Sequence, residues 1–301
     1  MNRIMDQALA GALRGDAVLL ATFGIERQTL AGMAIPGAGP EWEERLALTG
    51  AGTVTMLRRR SAFDLSSDPV GEFRERLEQN AVRRVIELIR EARLDELPPT
   101  RIGVKDMRLR IVVAAGGALQ ETFLSLQDPL AIEPAKPLLQ ELDRMASSVR
   151  QSPVRSLRLH LDMLASTRAA KIRLTLWLGF QNAGQSGYWL TDPGALQRAA
   201  RWERCSLLYG RKPEIQPGFT PAPFQLCESS LEPSEKREVD LFWIEAGSEV
   251  ERSLTATMEL PAPGAYFARA VFSSYAGEDQ AGGQPRLRGC AFSNELSIEA
   301  K

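Results

Sequence analysis

His160 is the only histidine in the chain, so a Ser-His-Asp relay or a histidine-bearing metal centre would have to be built on it. Asp162 stands two residues on, and in a strand the two side chains share a face. An imidazole and a carboxylate so placed could pass a proton, but the relay also needs a nucleophile. No Gly-x-Ser-x-Gly elbow supplies one. The expectation is a solvated strand residue. Cys205, Cys227 and Cys290 are widely spaced, with no Cys-x-x-Cys pair, so neither a zinc site nor a disulfide framework is expected. Cys205 makes the best case for a reactive thiolate, because Arg201 and Arg204 flank it. Ordinary half-buried thiols are the simpler expectation. "PGAGPEW" and "TGAGTVT" contain Gly-x-Gly but lack the third glycine, the lysine and the following helix of a phosphate loop. "AGEDQAGGQ" places Glu278 and Asp279 in a turn without the spaced oxygen ligands of a calcium loop. No catalytic residue is assigned, and no metal and no cofactor are expected.

Charge narrows the partners. Lys plus Arg number 37 and Asp plus Glu 38, for a pI near 6.1, whereas nucleic-acid binders carry a basic excess. The one compact basic run, Arg58-Arg59-Arg60, reads as a solvated strand end that discourages edge pairing. Neither nucleic acid nor membrane is an expected partner. Asp6, Arg14 and Asp16 interrupt the apolar N-terminal stretch that a secretory signal would need, and no run approaches the ~18 apolar residues of a membrane span. A cytoplasmic protein with reduced thiols is expected.

These residues must be carried by a chain of 301, long enough for two cores. Residues 1–150 read as an α+β domain. A short helix is predicted over residues 3–14. "AVLLATFGI" reads as a buried strand, and "WEERLALTGAGTVTMLRRR" as a hairpin turning at Gly50-Ala51-Gly52. Val82, Val85, Ile86 and Ile89 follow helical spacing, with Asn80 as N-cap and Pro98-Pro99 as the stop. "DMRLRIVVAAGGALQETFLSL" predicts a second hairpin turning at Gly116-Gly117. "PAKPLLQELDRMASSV" predicts a second helix presenting Leu138, Leu139, Leu142, Met145 and Val149.

"RQSPVRS", residues 150–156, is polar and contains a proline, and the domain boundary is placed there. Residues 151–301 then read as an all-β domain of period-two strands. In "SLRLHLDML", Leu157, Leu159, Leu161 and Met163 alternate with Arg158, His160 and Asp162.

Four stretches follow in order: "LTLWLGFQNAGQSGYWLTDP", "LEPSEKREVDLFWI", "LPAPGAYFARAVF" and "GCAFSNELSIE". They carry an Asn-x-Gly strand end, a Leu-x-Pro-Ser-Glu turn, a Pro-Gly-x-Tyr corner and a final Ser-Asn strand. Over residues 155–300 this order resembles bacterial Ig-like sandwich modules, including the intracellular proteinase inhibitor family and several cell-surface adhesion modules. The resemblance implies an antiparallel Ig-like β-sandwich rather than an activity. At the Pro263-Gly264 turn it implies a corner with the ring of Tyr266 packed inward.

A long proline-rich insertion is expected at about 192–226. Ala195 to Cys205 reads as a helical turn or two, and Pro213, Pro217, Pro221 and Pro223 as stiff extended chain. Most aromatic residues of the second domain are expected to fill the sandwich. Trp202, Tyr209, Phe219 and Phe224 lie in the insertion and are the candidate binding residues. The function expected is non-enzymatic protein–protein recognition by the sandwich and its insertion, as an adaptor whose partner is another protein, a co-encoded one first. The alternatives are a protease-inhibitor-like protein and an enzyme with an unrecognised site between the domains.

Overall fold

The computed structural model describes residues 18–25, 42–59, 68–93, 107–115, 118–125, 129–167, 172–196, 204–211, 227–234, 240–260, 263–274, 280–281 and 283–300. Over these the protein is mostly β, with antiparallel sheets and few helices. Among the described residues no helix is long and apolar enough to cross a membrane. The predicted helix over residues 3–14, the Pro98-Pro99 stop, the Gly116-Gly117 turn and the acids Glu278 and Asp279 lie outside the described residues. Contacts divide the chain into two compact units, residues 1–59 with 72–154 and residues 60–71 with 155–301.

The first unit contains β1 (Val18–Ile25), β2 (Trp42–Thr49), β3 (Thr53–Arg58), β4 (Val70–Arg76, from residue 72), α1 (Gln79–Glu91), β5 (Met107–Ala115), β6 (Ala118–Ser125) and α2 (Pro129–Val149). Its strands pair antiparallel in the order β3-β2-β1-β5-β6. Alternation gives β2, β3, β5 and β6 an inner row: Leu46 and Leu48, Val54 and Met56, Leu109, Ile111 and Val113, and Leu124. Onto these pack Val82, Val85 and Ile89 of α1 and Leu138, Leu142, Met145 and Val149 of α2, forming one core. Burial of these side chains stabilises the unit at roughly 25 cal/mol per Å² of apolar surface.

Three local expectations differ here. Asn80 is not the N-cap of α1. The helix starts at Gln79, and Glu78 holds the cap position in an extended conformation without a side-chain cap bond. Helix α2 begins at Pro129 rather than Pro134: Pro129, at its first position, loses no hydrogen bond, and the helix continues through Pro134 and Pro137 at the cost of their backbone bonds. Arg58 is not a solvated strand end but only 4% exposed. It shares the inner face of β3 with Val54 and Met56. It stands opposite Glu44 on β2, whose carboxylate lies 3.6 Å from Arg58 Nε and 3.6 Å from Arg150 Nη2. The paired carboxylate is what lets the guanidinium leave water.

The contact division falls between residues 154 and 155, within the stretch 150–156, which is itself ordered by backbone hydrogen bonds. The amides of Arg150, Gln151 and Ser152 donate to the carbonyls of Ala146, Ser148 and Val149. The next strand begins immediately, at Pro153.

The second unit contains β7 (Pro153–Thr167, from residue 155), β8 (Ile172–Gln181), β9 (Tyr188–Thr191), α3 (Pro193–Leu196), β10 (Arg204–Arg211), β11 (Cys227–Ser230), β12 (Glu232–Pro233), β13 (Leu241–Ile244), β14 (Glu249–Met258), β15 (Gly264–Ser274), β16 (Gln280–Ala281), β17 (Gln284–Pro285), β18 (Gly289–Phe292) and β19 (Leu296–Ala300). One antiparallel set runs β12-β14-β8-β7, and a second runs β11-β10-β15-β18 with β19 also on β15. Leu157, Leu159 and Leu161 of β7 and Leu174, Leu176, Leu178 and Phe180 of β8 face a shared core. From the other set it receives Leu207, Ala268, Ala270 and Phe272. Phe180 meets Phe242 and Phe272 edge-on, with ring centroids 5.3 Å apart in both pairs.

Polar side chains tie this unit where ladder bonds end. Asn182, fully buried, accepts at Oδ1 from the amides of Ser156 and Gly184 and donates through Nδ2 to the carbonyls of Ser186 and Glu245. Asn294 accepts from the Leu161 amide at 2.7 Å and donates to the Leu161 carbonyl at 3.0 Å. Neighbouring Ser293 exchanges bonds with Ala270 of β15. Strand β15, entered at Gly264 with φ +136, is an inner strand paired on both sides, and Tyr266 is buried.

Candidate functional site

Strands β7, β8 and β14 present their second face outward, and their registers arrange it in rows. Asp162 lies opposite Trp177, which lies opposite Ser253. His160, Gly179 and Glu251 form the next row, and Arg158, Gln181 and Glu249 the one after. Trp177 is 43% exposed, in the middle strand of three. Its position follows from alternation. Leu174, Leu176 and Leu178 take the core face of β8, so Arg173, Thr175, Trp177 and Gly179 take the other. Trp177 is thereby an exception among the second unit's aromatic residues, most of which were expected to fill the sandwich. The odd-numbered row, against the even leucines, was the signal that identifies it.

Three carboxylates share the face of the indole. Asp162 is directly across on β7, its Oδ2 3.0 Å from His160 Nε2. The Glu249 carboxylate lies over Gly179, and a Cβ at residue 179 would collide with it. Ser253 donates its hydroxyl to that of Ser234 at 2.9 Å. At the far end of β7 the register shifts between Met163 and Ala165. Leu164 is the extra residue, and both Met163 and Leu164 are exposed. Met163, expected inward with Leu157, Leu159 and Leu161, leaves the core where the bulge ends the regular pairing.

Of the predicted binding residues only Tyr209 lies among those described. Trp202, Phe219 and Phe224 lie outside the described residues. Tyr209 is 6% exposed and belongs to β10, paired with β15 on one side and β11 on the other. Its hydroxyl accepts the Glu259 amide at 3.2 Å. It is a core residue, not an exposed anchor. Of the helix expected from Ala195 to Cys205, residues 197–203 lie outside the described ones, which show a helical turn at Pro193–Leu196 and strand from Arg204. Cys205, Leu207 and Tyr209 alternate inward along it. The proposed insertion therefore contains a strand of the second sheet.

His160 is exposed, as expected of a solvated strand residue. Cys205 is buried, and burial pushes its thiol well above the usual range, with the Asp192 charge adding to the effect. Arg201, offered as its activator, lies outside the described residues, and Arg204 bonds Glu228 at 3.0 Å instead. Cys227 is exposed and Cys290 buried. Among the described residues no group of three or more His, Cys, Asp and Glu side chains could hold a metal ion.

A buried polar group that the sequence reading missed is built on Asp192. Its Oδ1 accepts the Gly194 amide at 3.0 Å, and its Oδ2 accepts Arg252 Nε–H at 3.1 Å. The Arg252 guanidinium lies 4.2 Å from the centroid of the Phe242 ring. Beside it, the hydroxyls of Thr191 and Ser274 are 2.7 Å apart, and Arg286 Nη2 donates to Thr191. Both Asp192 oxygens are consumed by partners within the fold, which makes the pair a clasp. No family model matches the chain, and no curated protein matches it.

Proposed function

We propose that the chain is a non-enzymatic cytosolic binding protein that recognises another protein through the outer face of β7, β8 and β14, with Trp177 as its anchor. In this reading the second unit is an Ig-like sandwich domain and the first an α+β domain. The clasps at Asn182 and Asn294 support it, since they fall in the Asn-x-Gly and Ser-Asn stretches that carry the resemblance. Three cysteines without a disulfide among them support a reducing compartment.

The observation that carries the reading is Trp177 itself. A tryptophan on the polar side of a rigid strand leaves a large apolar ring in water, and such residues dominate binding energy at protein interfaces. Trp202, Phe219 and Phe224 stay in the proposal as further contacts, while Tyr209 leaves it.

The test is co-purification. Tagged wild type and Trp177→Ala are passed through extract of the source cell, with circular dichroism confirming the fold. A partner retained by wild type and lost by the variant is expected. Identical partners on both would overturn the Trp177 face as the recognition surface.

A further inference from the structure

We infer that the segment taken by the Trp177 face presents an arginine side chain, which stacks on the indole and is held by the carboxylates on the same face. The inference rests on the recognition reading above and names its partner chemistry.

A guanidinium is flat, always charged and weakly hydrated, so it lies against an aromatic face more readily than an ammonium does. The indole offers that face, being 43% exposed between two neighbouring strands. The face carries Arg158 and Arg173 as well, but the charged side chains in the rows of Trp177 and Gly179 are Asp162 and Glu251, with the Glu249 carboxylate over Gly179. Residues directly opposite in a sheet have Cβ atoms about 4.5–5.5 Å apart, and Asp162 holds that position relative to Trp177. Gly179 is the next residue of β8 on the same face, and its lack of a side chain is what lets Glu249 lie there. Glu251 stands across from Gly179 on β14. Among the described residues neither glutamate makes an ion pair, and Asp162 contacts only His160. A neutral sugar would also stack on an indole, but it would make no use of the carboxylates that share its face.

The probe is a fluorescein-labelled peptide of alternating glycine and arginine, measured by anisotropy against the full chain. Its counterpart carries citrulline, which keeps the shape and removes the charge. The arginine peptide is expected to bind, to weaken with added salt and to exceed the citrulline peptide by more than about tenfold. Trp177→Ala should weaken it about tenfold, Trp177→Tyr less, and the Asp162→Asn/Glu251→Gln double variant about fivefold. No binding of the arginine peptide, equal binding of the citrulline peptide, or unchanged affinity in folded Trp177→Ala would overturn the inference. So would saturable binding of a neutral oligosaccharide that is indifferent to the carboxylate variants. If co-purification depends on Trp177 while the peptide fails, this inference falls and the recognition reading stands. If both fail, both fall.

Discussion

The Asn294 side chain bonds both backbone groups of Leu161, accepting its amide at 2.7 Å and donating to its carbonyl at 3.0 Å. In an antiparallel ladder a residue presents its amide and carbonyl on one side, so these two groups of Leu161 point away from β8. Asn294 thus stands in for a strand neighbour. With Ser293 bonded to Ala270, the dipeptide fastens β7 to the sheet that contains β15.

Asn294→Ala therefore strips two bonds from a partly buried backbone position and should cost about 1–3 kcal/mol. Urea unfolding followed by circular dichroism measures the loss. Stability within error of wild type would show that water replaces the side chain without penalty.

Arg252→Ala leaves the Asp192 carboxylate buried without its partner, the side chains being 10% and 2% exposed. Removing one member of such a pair costs about 3–5 kcal/mol, whereas replacing both with apolar groups is often nearly neutral. Thermal and urea unfolding of Arg252→Ala should show the larger loss, and the Asp192→Asn/Arg252→Met double variant should recover part of it. A single substitution as harmless as a surface change would remove the clasp from the account of the fold.

How far could the sequence reveal these features? The period-two rows of β7 and β8 and the helical stripes of α1 and α2 were legible, because burial alternates with backbone geometry there, whereas β15 is buried on both faces. The outward position of Trp177 was equally legible from Leu174, Leu176 and Leu178, yet most aromatic residues were expected in the core. The Arg58–Glu44 and Asp192–Arg252 pairs were not legible. Each joins positions far apart in sequence, and only the folded register brings the charges together. The strand at residues 204–211 was hidden by the expectation that a proline-rich stretch beyond Asp192 was all loop, although Cys205, Leu207 and Tyr209 already alternate.

The thiols should separate by exposure. In the folded protein at pH 8, Cys227 should react with a disulfide reagent at the rate of a free thiol. Cys205 should react only on unfolding, because burial holds it as the neutral thiol. Its pKa is higher folded than unfolded, so its contribution to stability is complete below about pH 8.5 and is lost as pH rises above that value. Rapid native labelling of Cys205 in a Cys227→Ser variant would contradict its burial.

His160→Ala should change stability by no more than about 0.5 kcal/mol, as at other surface sites. The His160 and Asp162 side chains are 56% and 61% exposed, and their contact is worth little in water. A loss of several kcal/mol in urea unfolding, or stoichiometric zinc recovered with the purified protein, would assign His160 a structural or metal-binding role.

The recognition claim meets its most direct test at Thr175, which shares the outward face of β8 with Trp177. A photo-crosslinking side chain placed at residue 175 is irradiated in extract of the source cell, in wild-type and Trp177→Thr backgrounds of matched urea stability. A discrete protein adduct with the wild-type indole, reduced at least tenfold without it, is the predicted result. Equal adduct yield in the two backgrounds, or none in either, would contradict a binding role for this face.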